Sequence, residues 1–293
     1  MVATYVLLAG SPLIEGVPEK LAGIAITVLF IFATMAVAMA ASRLALSWLV
    51  EALGFLLGLG LWFVMAGVGE EGSALRLATI PAADVVFLVA CVLGGRLLSR
   101  IVGERNLLFP VAIVLALADV FTVFMGPVAA VLANAPGVVT NLSVKVPQVG
   151  SAVGPEGAAG LTHLATMGPG DLVFAALLFT AVVRFGLNLR WTFIGILTPV
   201  TLGLVAFVAM PEVLPGVPVL PLMAVGFLAV NWRQFTFTSQ EKRNLAIAGV
   251  FVLALLAIMW FVTCSLLPAP AEGEQPAETS ALHPGGYTDV RHV

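Results

Sequence analysis

Long apolar runs separated by short polar breaks make up most of this chain. Eight runs stand out, at 21–42, 44–68, 77–101, 106–127, 169–188, 191–210, 217–231 and 245–267. A helix needs about 20 apolar residues to cross the hydrocarbon of a bilayer, and all but the seventh run reach that length. The seventh is short and opens among prolines. The pattern predicts an all-α polytopic membrane protein with about eight transmembrane helices. No internal repeat is visible, and residues 268–293, rich in Pro, Glu and Gly, read as a disordered tail.

One connection is long, from 128 to 168. Connections of that length usually carry function or lack order. Inside it Val138, Thr140, Leu142, Val144 and Val146 alternate with Asn141, Ser143 and Lys145. A period of two is a strand period. A second short strand is expected at "LTHLATM", immediately before Gly168, so the loop between the fourth and fifth helices is expected to carry a short β-ribbon.

Composition agrees with the pattern: 60% of the 293 residues are hydrophobic and 10% are charged, more apolar surface than a soluble domain of this size can hide. Net charge is −3, which argues against a nucleic-acid partner. The two cysteines, Cys91 and Cys264, fall in apolar runs and form no disulfide framework. Residues 1–16 lack the basic start of a secretory signal. If all eight runs span, Arg43, Arg96, Arg100, Arg105, Arg184, Arg190, Arg233, Lys242 and Arg243 share one side. Lys20, Arg76, Lys145 and Arg291 share the other. The positive-inside rule puts the larger group in the cytoplasm, with both termini and the 128–168 loop outside. The composition suggests a prokaryotic cytoplasmic membrane.

Acids inside a membrane are costly and therefore informative. Glu51, about two turns into the second helix, is expected to snorkel or to pair with Arg43. Asp84, after Pro81, is expected to be a first-turn residue reaching interfacial water. Asp119 is different. It lies too deep in "FPVAIVLALADVFTVFMGPV" for its short side chain to reach the surface, so it should face protein or a water-filled cleft. At about 1.5 Å per residue, Asp119 is about 20 Å from the cytoplasmic end of its helix and Asp171 about 24 Å from the end of its own. If their helices are antiparallel neighbours, the two carboxylates share one level. Such a pair suits peptide hydrolysis: one acid takes a proton from water while the other, protonated, polarises the scissile carbonyl. Asp171 also has a plainer reading as helix punctuation, because Gly168-Pro169-Gly170 precede it and an acid suits a helix N-terminus.

Three motifs carry a family resemblance: "LALADVFTVF" around Asp119, "MGPGDLVF" around Asp171, and "PGVPVLPLMAVGFL" around Pro218-Val219-Leu220-Pro221. Over roughly residues 106–231 the chain resembles the presenilin and signal peptide peptidase family of intramembrane aspartyl proteases. The family has a catalytic Asp in one helix, a Gly-x-Gly-Asp motif at the next, and a Pro-Ala-Leu motif before a later one. The resemblance implies Asp119 and Asp171 as catalytic residues. Gly168, Gly170, Pro218, Val219, Leu220 and Pro221 would bind substrate, with the glycines allowing unusual backbone angles and close approach of the substrate chain. Pro218 and Pro221 would keep their segment non-helical. It further implies membrane-spanning peptide substrates and no metal or organic cofactor. Here Ala118 and Val219 stand where the family usually has Tyr and Ala, and three helices rather than five precede the first motif. The chain then divides into an N-terminal three-helix region (1–105), a catalytic region (106–231), an extra helix (232–267) and the tail.

Other chemistries leave fainter marks. There is no His-Glu-x-x-His for zinc and no Gly-x-Ser-Gly for a rhomboid-type serine. His163 reads as a loop residue. Prepilin peptidases share Gly-x-Gly-Asp but usually follow it with a Lys-Leu-type pair, whereas Leu172-Val173-Phe174 follows here. A proton- or cation-coupled transporter using Asp119, Asp171, Glu51 and Asp84 stays open, as does a catalytically inactive relative.

Overall fold

The computed structural model describes residues 19–66, 74–125, 144–147, 163–209 and 218–266. The tail, and the parts of the long loop at 126–143 and 148–162, lie outside these residues. In chain order the helices are α1 (Glu19–Ser42), α2 (Trp48–Ala66), α3 (Ala74–Ile101), α4 (Leu108–Met125), α5 (Pro169–Arg184), α6 (Leu189–Ala209), α7 (Val219–Asn231) and α8 (Ser239–Leu266). Single 3-10 turns at Arg105–Leu107 and Trp232–Gln234 lead into α4 and out of α7. The protein is therefore mostly helical. Four segments, Ile24–Ser42, Trp48–Met65, Pro81–Ile101 and Leu189–Phe207, are long and apolar enough to cross a membrane.

Local chemistry sets the helix ends. Ser47 opens α2, its hydroxyl accepting from Val50 N–H at 3.4 Å. Pro169, with no N–H to leave unpaired, occupies the first turn of α5. That helix closes on Gly186 at φ +67°, with Leu187 N–H bonded to Val182 O and Gly186 N–H to Val183 O. This is a Schellman arrangement, and only glycine meets its left-handed step without strain. Asn188 caps α6 through Trp191 N–H at 3.2 Å. Thr238 and Glu241 form a reciprocal capping box on α8, with Thr238 N–H to Glu241 Oε2 at 2.6 Å and Glu241 N–H to Thr238 Oγ1 at 3.2 Å.

The helices assemble through small residues. At Gly95 of α3 an added Cβ would lie 2.2 Å from Val173 O of α5, and at Gly226 of α7 one would lie 1.9 Å from Gly195 O of α6. These are backbone-to-backbone crossings. Gly54 and Gly58 present one face of α2 to Leu93 and Ala90 of α3, the small-xxx-small spacing that lets membrane helices approach closely. The buried centre comes mainly from α1, α3, α5 and α7: Phe30, Met35, Leu88, Phe174, Leu178, Phe179, Met223 and Phe227 are essentially inaccessible. By contrast α2 and α8 expose Leu57, Phe63, Val250, Phe251 and Phe261. An apolar face of that kind suits lipid rather than water.

One end of the bundle is tied together by charge. Buried Glu51 accepts from Arg96 Nε at 2.9 Å and Arg100 Nε at 2.5 Å. Arg96 also donates to Ala41 O and Leu44 O, and Arg100 to Leu46 O. Arg184 caps the C-terminus of α3 through Ser99 O and Val102 O. Asn106 donates to Thr236 O at 2.8 Å. The breaks α1–α2, α3–α4, α5–α6 and α7–α8 therefore lie at one end. Glu51 sits in the first turn of α2, not two turns in, and its partners are Arg96 and Arg100; Arg43 is exposed. Asp84 is likewise no first-turn residue, because α3 begins ten residues earlier and Asp84 is buried at 8% exposure.

Beyond the helices, β1 (Val144–Pro147) pairs antiparallel with β2 (His163–Met167), Val144 opposite Met167 and Lys145 opposite Thr166. Residues 138–143 of the alternating stretch lie outside the described residues. His163 opens β2, and β1 packs against α1 and α3.

Candidate functional site

Asp119 is the twelfth residue of α4 and is half-buried. Its Oδ2 accepts a hydrogen bond from the backbone N–H of Leu220 at 3.2 Å. Leu220 is the second residue of α7, whose preceding Pro218 is extended (φ −69°, ψ 103°). The first turn of a helix has N–H groups with no partner inside the helix. Here one of them is satisfied by a carboxylate, an arrangement the partial positive charge of the helix terminus favours.

Depth explains how they meet. From Leu108 to Asp119 is 11 residues, and from Leu220 to Asn231 is also 11, about 17 Å of helix in each case. The lower ends of α4 and α7 are joined by aromatic contacts, Phe109 lying 5.6 Å from Trp232 and 5.9 Å from Phe235 between ring centres. Two antiparallel helices anchored there bring Asp119 level with Leu220. At 13 residues, α7 is about 20 Å long, well short of a span. Its N-terminus therefore lies within the bundle.

Asp171 is the third residue of α5 and is partly buried. Its carboxylate accepts from Gly168 N–H, the N-capping residue, so helix punctuation is part of its role. It also lies within electrostatic range of Asp119. From Arg184 the distance along α5 is about 20 Å, close to the height of Asp119. Both helices are shorter at the charged end than their apolar runs, by similar amounts, so the shared level survives. The expected neighbour relation does not. Among the described residues α4 has no extensive packing along α5; α7 packs against both.

The remaining residues divide. Val219 and Leu220 have buried side chains within the bundle core, so the group reaching the site is the Leu220 backbone N–H. Pro221 is inside the first turn of α7, and the non-helical segment ends at Pro218. Gly168 has ordinary extended angles (φ −67°, ψ 152°), and among the described residues only Gly186 has positive φ. The expectation of unusual backbone angles at Gly168 and Gly170 is therefore not met. Open space surrounds Gly170, where an added Cβ would meet nothing within 4 Å.

Comparison with known protein families, curated proteins and solved structures finds no match. The site must speak for itself. Among the described residues no group of three His, Cys, Asp or Glu side chains converges as metal ligands would. What converges is two carboxylates and a helix N-terminus, drawn from three segments 52 and 49 residues apart in sequence. Two carboxylates within electrostatic reach of each other resist double ionisation. They can therefore offer a base and an acid at one position. Sequence reasoning missed the Leu220 donor, which has no side-chain signature, and missed that α7 separates the two acidic helices.

Proposed function

We propose that this protein is an integral-membrane aspartyl endopeptidase that hydrolyses peptide bonds in or near membrane-spanning segments. The observation that carries the reading is the hydrogen bond from Leu220 N–H to Asp119, with Asp171 in electrostatic reach. It joins the three motifs that resemble the presenilin and signal peptide peptidase family. In this reading all eight helices lie in the bilayer, α7 reaching only part-way across, the basic end faces the cytoplasm, and both termini and the 128–168 loop face outward.

The chemistry follows from the pair. The ionised aspartate removes a proton from water as its oxygen bonds to the scissile carbonyl carbon. The protonated aspartate donates its hydrogen to the carbonyl oxygen, giving a neutral gem-diol. The aspartate that took the water proton then gives it to the amide nitrogen while the other takes a proton from a gem-diol hydroxyl, so the C–N bond breaks, the amine leaves and the carbonyl re-forms as a carboxylic acid. Asp119, fixed by a helix N–H, suits the ionised role. The β1–β2 pair leads directly into Gly168 and supplies a strand edge on which an extended substrate can add before reaching the acids.

The test is cleavage of membrane-spanning reporter peptides by purified protein in liposomes, comparing wild type with Asp119→Ala and Asp171→Ala. Loss of cleavage in both variants, and inhibition of wild type by an aspartyl transition-state analogue, is the expected result. A folded wild type that neither cleaves nor binds the analogue would overturn the reading. The short α7, with its N-terminus inside the bundle, also suits a proton-coupled transporter. Proton-linked flux abolished by Asp119→Asn would then identify that function instead.

A further inference from the structure

The polar ties at the charged end change partners between Val102 and Arg105. Arg184 of α5 donates to Ser99 O and Val102 O, which holds the chain to the core as far as Val102. Gly103 and Glu104 follow, both exposed. An added Cβ at Gly103 would meet nothing within 4 Å, and Glu104 is extended at φ −133° and ψ 149°. Beyond them the ties go to the α7–α8 turn and to α8. Arg105 Nη2 donates to Thr236 Oγ1 at 3.4 Å, and Asn106 Nδ2 to Thr236 O at 2.8 Å and Glu241 Oε1 at 3.4 Å. The foot of α4 is thus bonded to the foot of α8.

Packing divides the molecule at the same place. α3 packs along α2 and α5, α1 along α5 and α6, and α6 along α7. Among the described residues α4 packs along α7 and α8 and has no extensive packing on α1, α3 or α5, and α8 has none except on α4. Described side chains of α8 are exposed apart from a half-buried stripe of Glu241, Leu245, Val252 and Leu256, so none anchors α8 in the core. On α4, Leu108 and Ala112 at the foot are inaccessible, whereas Leu115, Ala116 and Asp119, higher on the same face, are half-buried. The two bodies meet at buried Phe235. Its ring centre lies 5.9 Å from that of Phe109 in α4, 6.1 Å from Phe227 in α7 and 6.4 Å from Phe237. Apolar burial is non-directional, so this joint holds position through a small rotation. On its core side Asn231 is locked to Thr192 at 2.8 Å, and the Trp232–Gln234 turn lies between that lock and Phe235.

We propose that α4 and α8 form one arm, hinged at Gly103–Glu104 and at the Trp232–Gln234 turn, which swings Asp119 against the core that carries Asp171. Hinges are a few loop or element-terminal residues that absorb a change in backbone angle, and these two segments fit that description. The hydrogen bond from Leu220 N–H to Asp119 clasps the closed arm to α7. A rotation of about 15° moves Asp119, about 15 Å along α4 from Phe109, by about 4 Å. The same rotation moves Ile258, about 30 Å along α8 from Thr238, by about 8 Å. Opening parts the two acids and widens the space between α4 and α5; closing assembles the pair. The arm follows from packing and hydrogen bonds; its use in assembling a catalytic pair rests on the protease reading.

The test is pulsed electron paramagnetic resonance on the full chain in nanodiscs, with Cys91 and Cys264 replaced by Ala and nitroxides at exposed positions. Ile258 in α8 with Leu29 in α1 reads arm against core, and Ile258 with Val114 in α4 reads the arm internally. Leu220→Pro removes the clasp donor and Asp119→Ala its acceptor. Each is expected to move the arm-to-core distance by about 8 Å, as the rotation above requires, and to leave the internal distance unchanged. An aspartyl transition-state analogue should narrow the wild-type arm-to-core distribution. One arm-to-core distance, unmoved in both variants, would overturn the arm. So would an internal change as large as the arm-to-core change, because α8 would then move without α4. Movement in the variants of a protein whose wild type cleaves nothing would support the arm and overturn only the protease reading.

Discussion

Leu220 meets Asp119 through the one group that every residue except proline carries, its backbone N–H. Leu220→Pro removes the donor at a helix position where proline is otherwise tolerated. A hydrogen bond to a charged group contributes about 1.5–3 kcal/mol. In the proposed reaction the variant is expected to lose about tenfold to a hundredfold in kcat and to shift the acid limb of the pH–rate profile. Leu220→Ala keeps the donor and should keep the wild-type limb, whatever it does to KM. If both variants shift the limb alike, the backbone donor has no special role. Glu51 is the second residue-scale case. Glu51→Gln leaves Arg96 buried at 3% exposure without its counter-charge. The expected cost is about 3 kcal/mol, the low end for breaking a buried pair, read from unfolding of the purified protein in detergent. An unchanged midpoint would mean the cluster is immaterial to stability.

At the scale of elements, two glycine crossings set the spacing of the core helices. Gly226→Ala drives a methyl into the Gly195 carbonyl, and backbone cannot step aside as a flexible side chain can. A loss of about 2 kcal/mol is expected, as for other overpacked positions. Gly249→Ala in α8 is the matched control: it meets nothing within 4 Å and should stabilise by about 0.5–1 kcal/mol. Parallel unfolding curves distinguish them, and equal effects would discount the crossing. The α8 cap carries a pH dependence. Hydrogen bonds from the Thr238 backbone N–H, then the Thr238 hydroxyl and Asn106, hold Glu241 below the usual carboxylate range. A depressed folded value means the contribution is fully present above the unfolded value, about pH 4.3, and is lost as pH falls through the folded one. Amide protection in the first turn of α8 should therefore weaken on acidification, and Glu241→Gln should remove that dependence.

For the molecule as a whole, the basic end is the strongest organising feature. Single cysteines replacing exposed Arg43 and Arg190 are expected to react with an impermeant reagent only from the cytoplasmic face. Labelling from outside would invert the proposed orientation. The helices were largely legible in the sequence because an apolar run of twenty residues has few other stable fates. The start marked by Pro169 was legible for the same local reason, whereas the caps at Ser47, Gly186 and Thr238 set ends at Trp48, Arg184 and Ser239 that the apolar runs alone place at 44, 188 and 245. The shared depth of Asp119 and Asp171 was legible too, since helical rise converts residue number into height. Lateral arrangement was not. That Glu51 pairs with Arg96 and Arg100 rather than Arg43, and that α7 separates α4 from α5, depend on which faces of distant helices meet. Those contacts are chosen by close packing at Gly95, Gly195 and Gly226, where one missing side chain lets two backbones touch. Local pattern along a chain determines what is helical and how deep each residue lies; only the summed packing of the bundle decides which residues at that depth face one another.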